Sequence, residues 1–254
     1  MKEEDTNRME IALLTDVGKK RTNNQDFVNH FVNRSGMPLI VLADGMGGHR
    51  AGNIASEMAV TDLGAAWVDT QIDSVNGVRD WFAEYLEAEN KKIHEVGQSD
   101  EYKGMGTTLE AIAIIGNQAI YAHIGDSRIG LVRGEEYKQL TSDHSLVNAL
   151  LKAGQITAEE AERHPQRNII TQSIGQKDEI QPDFGIITLE EGDYIVINSD
   201  GLSNMVAGSE IYDILKSDLT LPEKAQTLIR FANNAGGLDN ITVALVYFDK
   251  EEEA

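Results

Sequence analysis

The stretch Leu39-Ile40-Val41-Leu42-Ala43-Asp44 is an apolar run closed by a carboxylate. The pattern returns in Tyr121-Ala122-His123-Ile124-Gly125-Asp126 and in Ile195-Val196-Ile197-Asn198-Ser199-Asp200. It is reversed near the C-terminus, where Asp239 precedes the run Ile241–Phe248. If that last strand lies antiparallel to the other three, all four carboxylates meet at one edge of a sheet. Any one of these aspartates is equally well explained as the start of a turn, a position Asp favours. That explanation weakens when four strand-like runs share the feature. Carboxylates gathered without a cation raise one another's pKa by repulsion. In a chain of 254 residues with no Cys and six His, such a cluster reads as an oxygen-ligand site for Mg²⁺ or Mn²⁺.

Around this edge the periodicities predict an α+β fold. Residues 10–15, 26–33, 38–43, 180–188, 193–198 and 241–248 read as strands, and 107–115, 118–124 and 127–133 as a meander turning at Gly116-Asn117, with Gly134 to Glu136 as the turn that follows. Helices are predicted over 51–67, 76–96, 145–153, 157–163, 209–217 and 222–235. Thr157 and Glu160 have the spacing of a capping box, and Pro222 suits a first helical turn. The strands at 39–43, 193–198 and 241–248 are apolar on both faces, so both faces must be covered. Helices come in pairs between blocks of strands. That favours stacked antiparallel sheets with helix pairs outside over a doubly wound parallel sheet.

Composition narrows the function. The formal net charge is −20, which argues against nucleic acid and anionic membranes as partners. It also repels phosphorylated ligands at long range, so cations and a local Arg must reverse the sign at the site. No apolar run approaches 20 residues, which predicts no membrane insertion. The polar start MKEEDTNRM is unlike a signal peptide. The absence of Cys removes disulfides, zinc–thiolate sites and a cysteine nucleophile, and fits a cytoplasmic protein. Residues 1–8 are expected to be a flexible extension, 9–248 a single domain, and 249–254 a solvated acidic tail.

The remaining candidates sit in short motifs. Asp44 opens the glycine-rich ADGMGGH (43–49), where the Gly45 carbonyl can join it as a hard oxygen ligand. An anion-cradling loop is the rival reading, but no Lys-Ser/Thr follows. RTNNQD (21–26) holds Arg21, either a surface charge or a planar phosphate clamp, and Asp26. His49 is the one histidine in these core motifs, either structural or a general acid. The other histidines, His123 among them, read as core or surface groups.

Taken in order, RTNNQD (21–26), ADGMGGH (43–49), GMGTT (104–108), GDSR (125–128), SDGLSN (199–204) and GLDN (237–240) resemble the metal-dependent Ser/Thr protein phosphatases, the PPM or type 2C family. The resemblance runs from about Met9 to Phe248 and is nearest the stand-alone bacterial members of streptococcal type. It implies a four-layer αββα sandwich of two antiparallel sheets around a dinuclear Mn²⁺ or Mg²⁺ centre. By matching motifs, Asp44 bridges two ions, Asp200 and Asp239 complete the first, and Gly45 serves the second. Asp26 holds a water on the second ion, Asp126 with Asp200 binds a weaker third ion, and Arg21 grips the phosphate. The implied reaction is hydrolysis of phosphoserine and phosphothreonine in proteins by a hydroxide bridging the metals, without a phosphoenzyme. The implied partners are phosphorylated protein substrates and a membrane Ser/Thr kinase with extracellular cell-wall-binding domains, which a monomeric enzyme opposes.

The chain departs from many eukaryotic members at Gln25, where they carry Glu, and at Met46, where they carry His. Ligation by the side chain at position 25 is therefore not expected. Residues 143–172 match the family's variable flap, either a packed connector or a mobile lid over the site. Two rivals remain: a catalytically dead phosphoprotein-binding relative, which should lack a metal-site Asp, and another metallohydrolase, which should mix His with Asp. No expected Asp is missing, and His49 is the sole histidine among the matched metal-site motifs.

Overall fold

Residues 7–47 and 51–250 are described by the computed structural model. The strands predicted to be apolar on both faces lie inside two stacked antiparallel sheets. The first sheet has the order β1 (Asn7–Asp16), β11 (Ile241–Lys250), β10 (Asp193–Asn198), β7 (Arg128–Arg133) and β8 (Glu136–Gln139). The second has the order β2 (Asp26–Val32), β3 (Pro38–Met46), β5 (Leu109–Ile115), β6 (Gln118–Ile124) and β9 (Asp183–Thr188), with the two-residue β4 (Gly106–Thr107) beside the end of β3.

Side chains alternate across each strand, so each inner strand feeds two cores. On β3, Ile40 and Leu42 face the other sheet, where they pack with Ile112, Ile129, Ile195 and Ile197. Leu39 and Val41 face the opposite way, toward α1 (Ala51–Val68) and α2 (Val75–Val96). On β10 and β11, Val196, Val243 and Leu245 pack outward with Leu228 of α7 (Leu221–Asn234) and Ile211 of α6 (Gly208–Leu215). The result is the expected helix–sheet–sheet–helix sandwich. Close approach of α1 to β2 depends on Gly64, where a Cβ would lie 2.1 Å from the Phe31 ring.

Trp67, fully buried in α1, stacks edge-on against Trp81 of α2 at 5.0 Å between ring centroids. Its indole N–H donates to the Met37 carbonyl at 3.0 Å, so the ring is buried without losing a hydrogen bond. α2 is capped by Ser74, and α7 carries its proline in the first turn, as predicted. α4 (Ala158–Glu162) begins with the expected Thr157–Glu160 capping box. It follows α3 (Leu146–Lys152), which has no buried residue of its own.

Three features differ from the sequence-based expectation. The third strand of the supposed meander, β7, leaves its sheet and pairs with β10 and β8 in the other one. The cause is the turn after β6, where Gly125 has φ +119° and a Cβ would fall 2.5 Å from the Thr108 side chain. This lets the chain cross from one sheet to the other at Asp126. The short helix α5 (Asp200–Ser203) and the strand β8 were not predicted. β1 and β11 also pair from Asn7 with Lys250 onward, slightly beyond the 9–248 limits. Residues 1–6 and 251–254, most of the predicted extension and tail, lie outside the described residues.

Trp67→Ala should cost about 3–5 kcal/mol of stability, as large-to-small changes of buried aromatics do. Urea unfolding should show this as a lower midpoint with little change in slope, because the same surface is exposed on unfolding.

Candidate metal centre

The carboxylates converge because of strand direction. β3 and β6 both run toward the edge where Asp44 and Asp126 lie. β10 runs to Asp200 at the first turn of α5, and β11 starts there, just after Asp239. Asp26 is the first residue of β2 and sits directly across from Asp44 in the β2–β3 register. Carboxylates facing each other across a ladder are unfavourable, and a dense scaffold holds these in place.

Asp26 bridges the two sheets. Its Oδ2 accepts hydrogen bonds from Thr242 Oγ1 at 2.6 Å, on β11 of the opposite sheet, and from Ser199 Oγ at 2.7 Å, the residue just past β10 of that sheet. Its Oδ1 is buried with no hydrogen-bond partner, and so is Asp200 Oδ1. The Asp44 backbone N–H donates to Thr108 Oγ1 at 2.9 Å, and that hydroxyl is also 2.9 Å from Ser127 Oγ, beside Asp126. Gly45, just past Asp44, is wedged against Gln25 and α1. A Cβ there would lie 2.0 Å from the Gly52 carbonyl. The Gln25 side chain lies over Gly52, where an added Cβ would be 2.4 Å from its Nε2.

Asp239 and Arg21 form the exposed rim. Arg21 Nη2 donates to Asp239 Oδ2 at 2.8 Å, and the Arg21 side chain is half exposed. Asn240 positions the Arg21 loop: its side-chain amide donates to the Val17 and Asn23 carbonyls, and its Oδ1 accepts from Gln25 N–H. His49 lies outside the described residues.

The electrostatics match a cation site. Burial pushes Asp26 up to about 7, against the pull of its hydroxyl partners. Burial and then the charges of Asp26, Asp200, Asp126 and Asp239 raise Asp44 well above the carboxylate range. Asp126 rises to about 7 and Asp200 to about 6, each mainly by burial and then by a neighbouring Asp. Buried carboxylates with orphaned oxygens, facing one another, fit divalent cations with oxygen ligands. From Asp126 and Asp200 a groove of about 750 Å³ runs beneath the 143–172 segment, past Arg128, Asn148, Leu151, Arg163 and Met205.

Only one group of three His, Asp or Glu side chains among the described residues has ligand atoms within 4.8 Å of one another, and it is not made of these aspartates. It comprises His123, His144 and Asp183. Its hydrogen bonds leave no nitrogen free for an ion. His123 Nδ1 and Nε2 both face acceptors, Glu110 Oε1 at 2.6 Å and the Ser142 carbonyl at 3.2 Å. On His144, Nδ1 accepts from Gly125 N–H and Nε2 faces Asp183. Of the two readings left open for His123, core or surface, the structure gives the buried one, with the ring paired to a carboxylate.

Sequence reading did not single out Thr108, Ser199, Asn240 or Thr242 individually. The first three lie inside quoted motifs, and Thr242 is marked only by being a polar residue in an apolar strand.

Comparison with known proteins identifies the family. The family model of protein phosphatase 2C matches residues 18–235. The chain is 77% identical to protein phosphatase PhpP of Streptococcus pneumoniae, over 96% of this chain and 99% of that one. It superposes on the serine/threonine phosphatase of S. agalactiae with a TM-score of 0.94 and 63% identity, covering 94% of this chain and 99% of the other. It superposes on the catalytic domain of the phosphatase PstP in complex with two manganese ions at 0.82 and 32%, covering 96% and 100%. The chain belongs to the protein phosphatase 2C family, whose members remove phosphoryl groups from proteins by metal-dependent hydrolysis. It is accordingly a serine/threonine protein phosphatase. No helix among the described residues is long and apolar enough to cross a membrane.

The raised carboxyl pKa values set a pH dependence. A carboxyl whose folded pKa lies above its unfolded value binds its proton longer in the folded state. Stability in metal-free buffer is therefore highest below the unfolded value and falls as pH rises from about 4 toward 7. Thermal melts in EDTA should show a higher midpoint at pH 5 than at pH 7.5. Asp44→Asn, which removes one repelling charge, should narrow that gap; an unchanged gap would contradict the electrostatic account.

Proposed function

We propose that Asp44, Asp200 and Asp239, with the Gly45 carbonyl, hold two Mn²⁺ or Mg²⁺ ions, and that Asp26 acts on the second through a water. We assign Asp126, with Asp200, to a third and weaker ion, and Arg21 to the substrate phosphoryl group. The observation that carries this reading is the pair of orphaned buried oxygens, Asp26 Oδ1 and Asp200 Oδ1, on neighbouring raised-pKa carboxylates. When bound, the two core ions supply a low-pKa water as nucleophile and neutralise phosphoryl charge.

The chain's own residues do the rest. Arg21 keeps donors beyond the one given to Asp239, enough to hold a phosphoryl oxygen at the rim. The Asn240 amide holds the 17–25 loop so that Arg21 stays over the carboxylates. Asp26 is braced through Oδ2 by Ser199 and Thr242, which leaves Oδ1 without a partner and the side chain already ordered in the folded protein. The groove beneath residues 143–172 takes the polypeptide on one side of the phosphorylated residue. His49 remains the candidate general acid for the leaving hydroxyl. The substrates are phosphorylated proteins of the cytoplasm. The enzyme acts as a monomer that opposes a membrane Ser/Thr kinase with extracellular cell-wall-binding domains, so its setting is signal transduction.

Phosphate release from a phosphothreonine peptide should require Mn²⁺ or Mg²⁺ and stop in excess EDTA. Asp200→Ala and Asp239→Ala should abolish release while the melting temperature in EDTA stays equal or rises, because repulsion is relieved. Release that persists in EDTA would refute the metal assignment, and variants that unfold would refute the claim that these carboxylates repel.

A further inference from the structure

We propose that His144 is the positioning residue for Asp126, tying the base of the 143–172 flap to the turn that carries this carboxylate. The inference rests on the third-ion reading of Asp126 only for its consequence in catalysis; the anchor itself is read from contacts.

Residue 144 meets residue 125 twice. His144 N–H donates to the Gly125 carbonyl at 2.7 Å, and Gly125 N–H donates back to His144 Nδ1 at 3.2 Å. The His144 carbonyl accepts from Thr171 N–H at 2.8 Å, so the two ends of the flap are joined through the same residue. One residue earlier, Asp143 takes a bidentate pair from Arg128, at 2.7 and 3.0 Å. The turn Gly125–Arg128 is therefore held at both ends by Asp143 and His144. Gly125 has little freedom to find another partner, since Thr108 fills the space where a Cβ would go.

The His144 ring is itself held in place. It lies 4.6 Å from the His123 ring, its Nε2 is 3.3 Å from Asp183 Oδ2, and it is largely shielded from solvent. His123 is fixed in turn by Glu110 and the Ser142 carbonyl. Burial, then the neighbouring His123, holds the His144 pKa below its ordinary value, leaving the Nδ1 lone pair free to accept. The other titratable or charged groups facing this cluster are Glu110, Asp183 and Lys152. On the far side of the turn, Ser127 links through Thr108 to Asp44 N–H. Asp126 thus lies between a flap anchor and a core-site anchor, which gives the flap a physical route to the metal centre.

Two substitutions separate the anchor from general packing. His144→Phe keeps a ring and removes the acceptor; His144→Asn keeps an acceptor close to the Nδ1 position. In metal-free protein, amide exchange at Gly125 read by NMR should speed up about three- to tenfold in His144→Phe, the scale of one lost hydrogen bond, and return toward wild type in His144→Asn. With metal, His144→Phe should raise the Mn²⁺ concentration for half-maximal turnover and lower kcat on a phosphothreonine peptide, with KM little changed. His144→Asn should rescue both. Unchanged Gly125 protection in His144→Phe, or Asn no better than Phe, overturns the inference. Asp126→Ala distinguishes the two layers. If it leaves the Mn²⁺ curve unaltered while Gly125 exchange still follows His144 as stated, the anchor stands and the third-ion assignment falls.

Discussion

The hydrogen bonds that Ser199 and Thr242 make to Asp26 are the constraint on which the site depends. They join a carboxylate of one sheet to hydroxyls of the other, at the edge where the sheets must stay in register for the aspartates to face each other. Like charges at this spacing tend to spread or to take up protons. Here spreading is opposed by the buried apolar layers and by a sheet-to-sheet tie, so the carboxyl pKa values are raised, first by burial and then by the neighbouring charges. Cation binding relieves that strain, which is a source of selectivity for hard divalent ions as well as of affinity.

The fold supplies this geometry by using every inner strand twice. Because β3, β10 and β11 are covered on both faces, their positions are over-determined by three separate cores. A carboxylate at the end of such a strand inherits that rigidity, whereas one on a loop would not. Arg21 shows the contrast. It sits on a loop, half exposed, held by its ion pair to Asp239, by the Asn240 amide and by the Lys19 and Lys20 N–H groups, which donate to the Gly237 carbonyl. The less rigid support suits the role proposed for Arg21, admitting and releasing a phosphoryl moiety.

Much of this was legible in the sequence. Apolar runs closed by Asp identified both the inner strands and the ligand candidates, because burial on two faces and a charge at the strand end leave unmistakable local patterns. Helix limits followed from Thr157, Pro222 and the glycines. What was not legible depends on contacts between distant segments. The predicted hairpin turning at Gly116-Asn117 already puts Thr108 opposite Gly125, but the tight fit between them, and the crossing of β7 into the other sheet that follows, are announced by no periodicity. Asn240, Ser199 and Thr242 act through hydrogen bonds to residues far away in the sequence, and a polar residue at such a place reads locally as a turn or strand element. His144 stood in a segment read only as a flap, and its link to Gly125 becomes visible once the two strands are placed.

The charge of the chain sharpens the functional argument. With a net charge of −20, the surface as a whole repels phosphoproteins. Screening reduces that repulsion beyond about 10 Å at ordinary ionic strength, so the local field decides capture. In that field the positive groups that act on Asp200 are Arg128 along the groove, already committed to Asp143, and Arg21 at the rim, while Arg163 lies farther along the groove. The protein alone therefore presents a site dominated by negative charge. On the metal assignment proposed above, divalent ions would reverse its sign, and metal occupancy would then govern substrate binding as well as chemistry. The proposed flap anchor, on the turn bearing Asp126, would act on both.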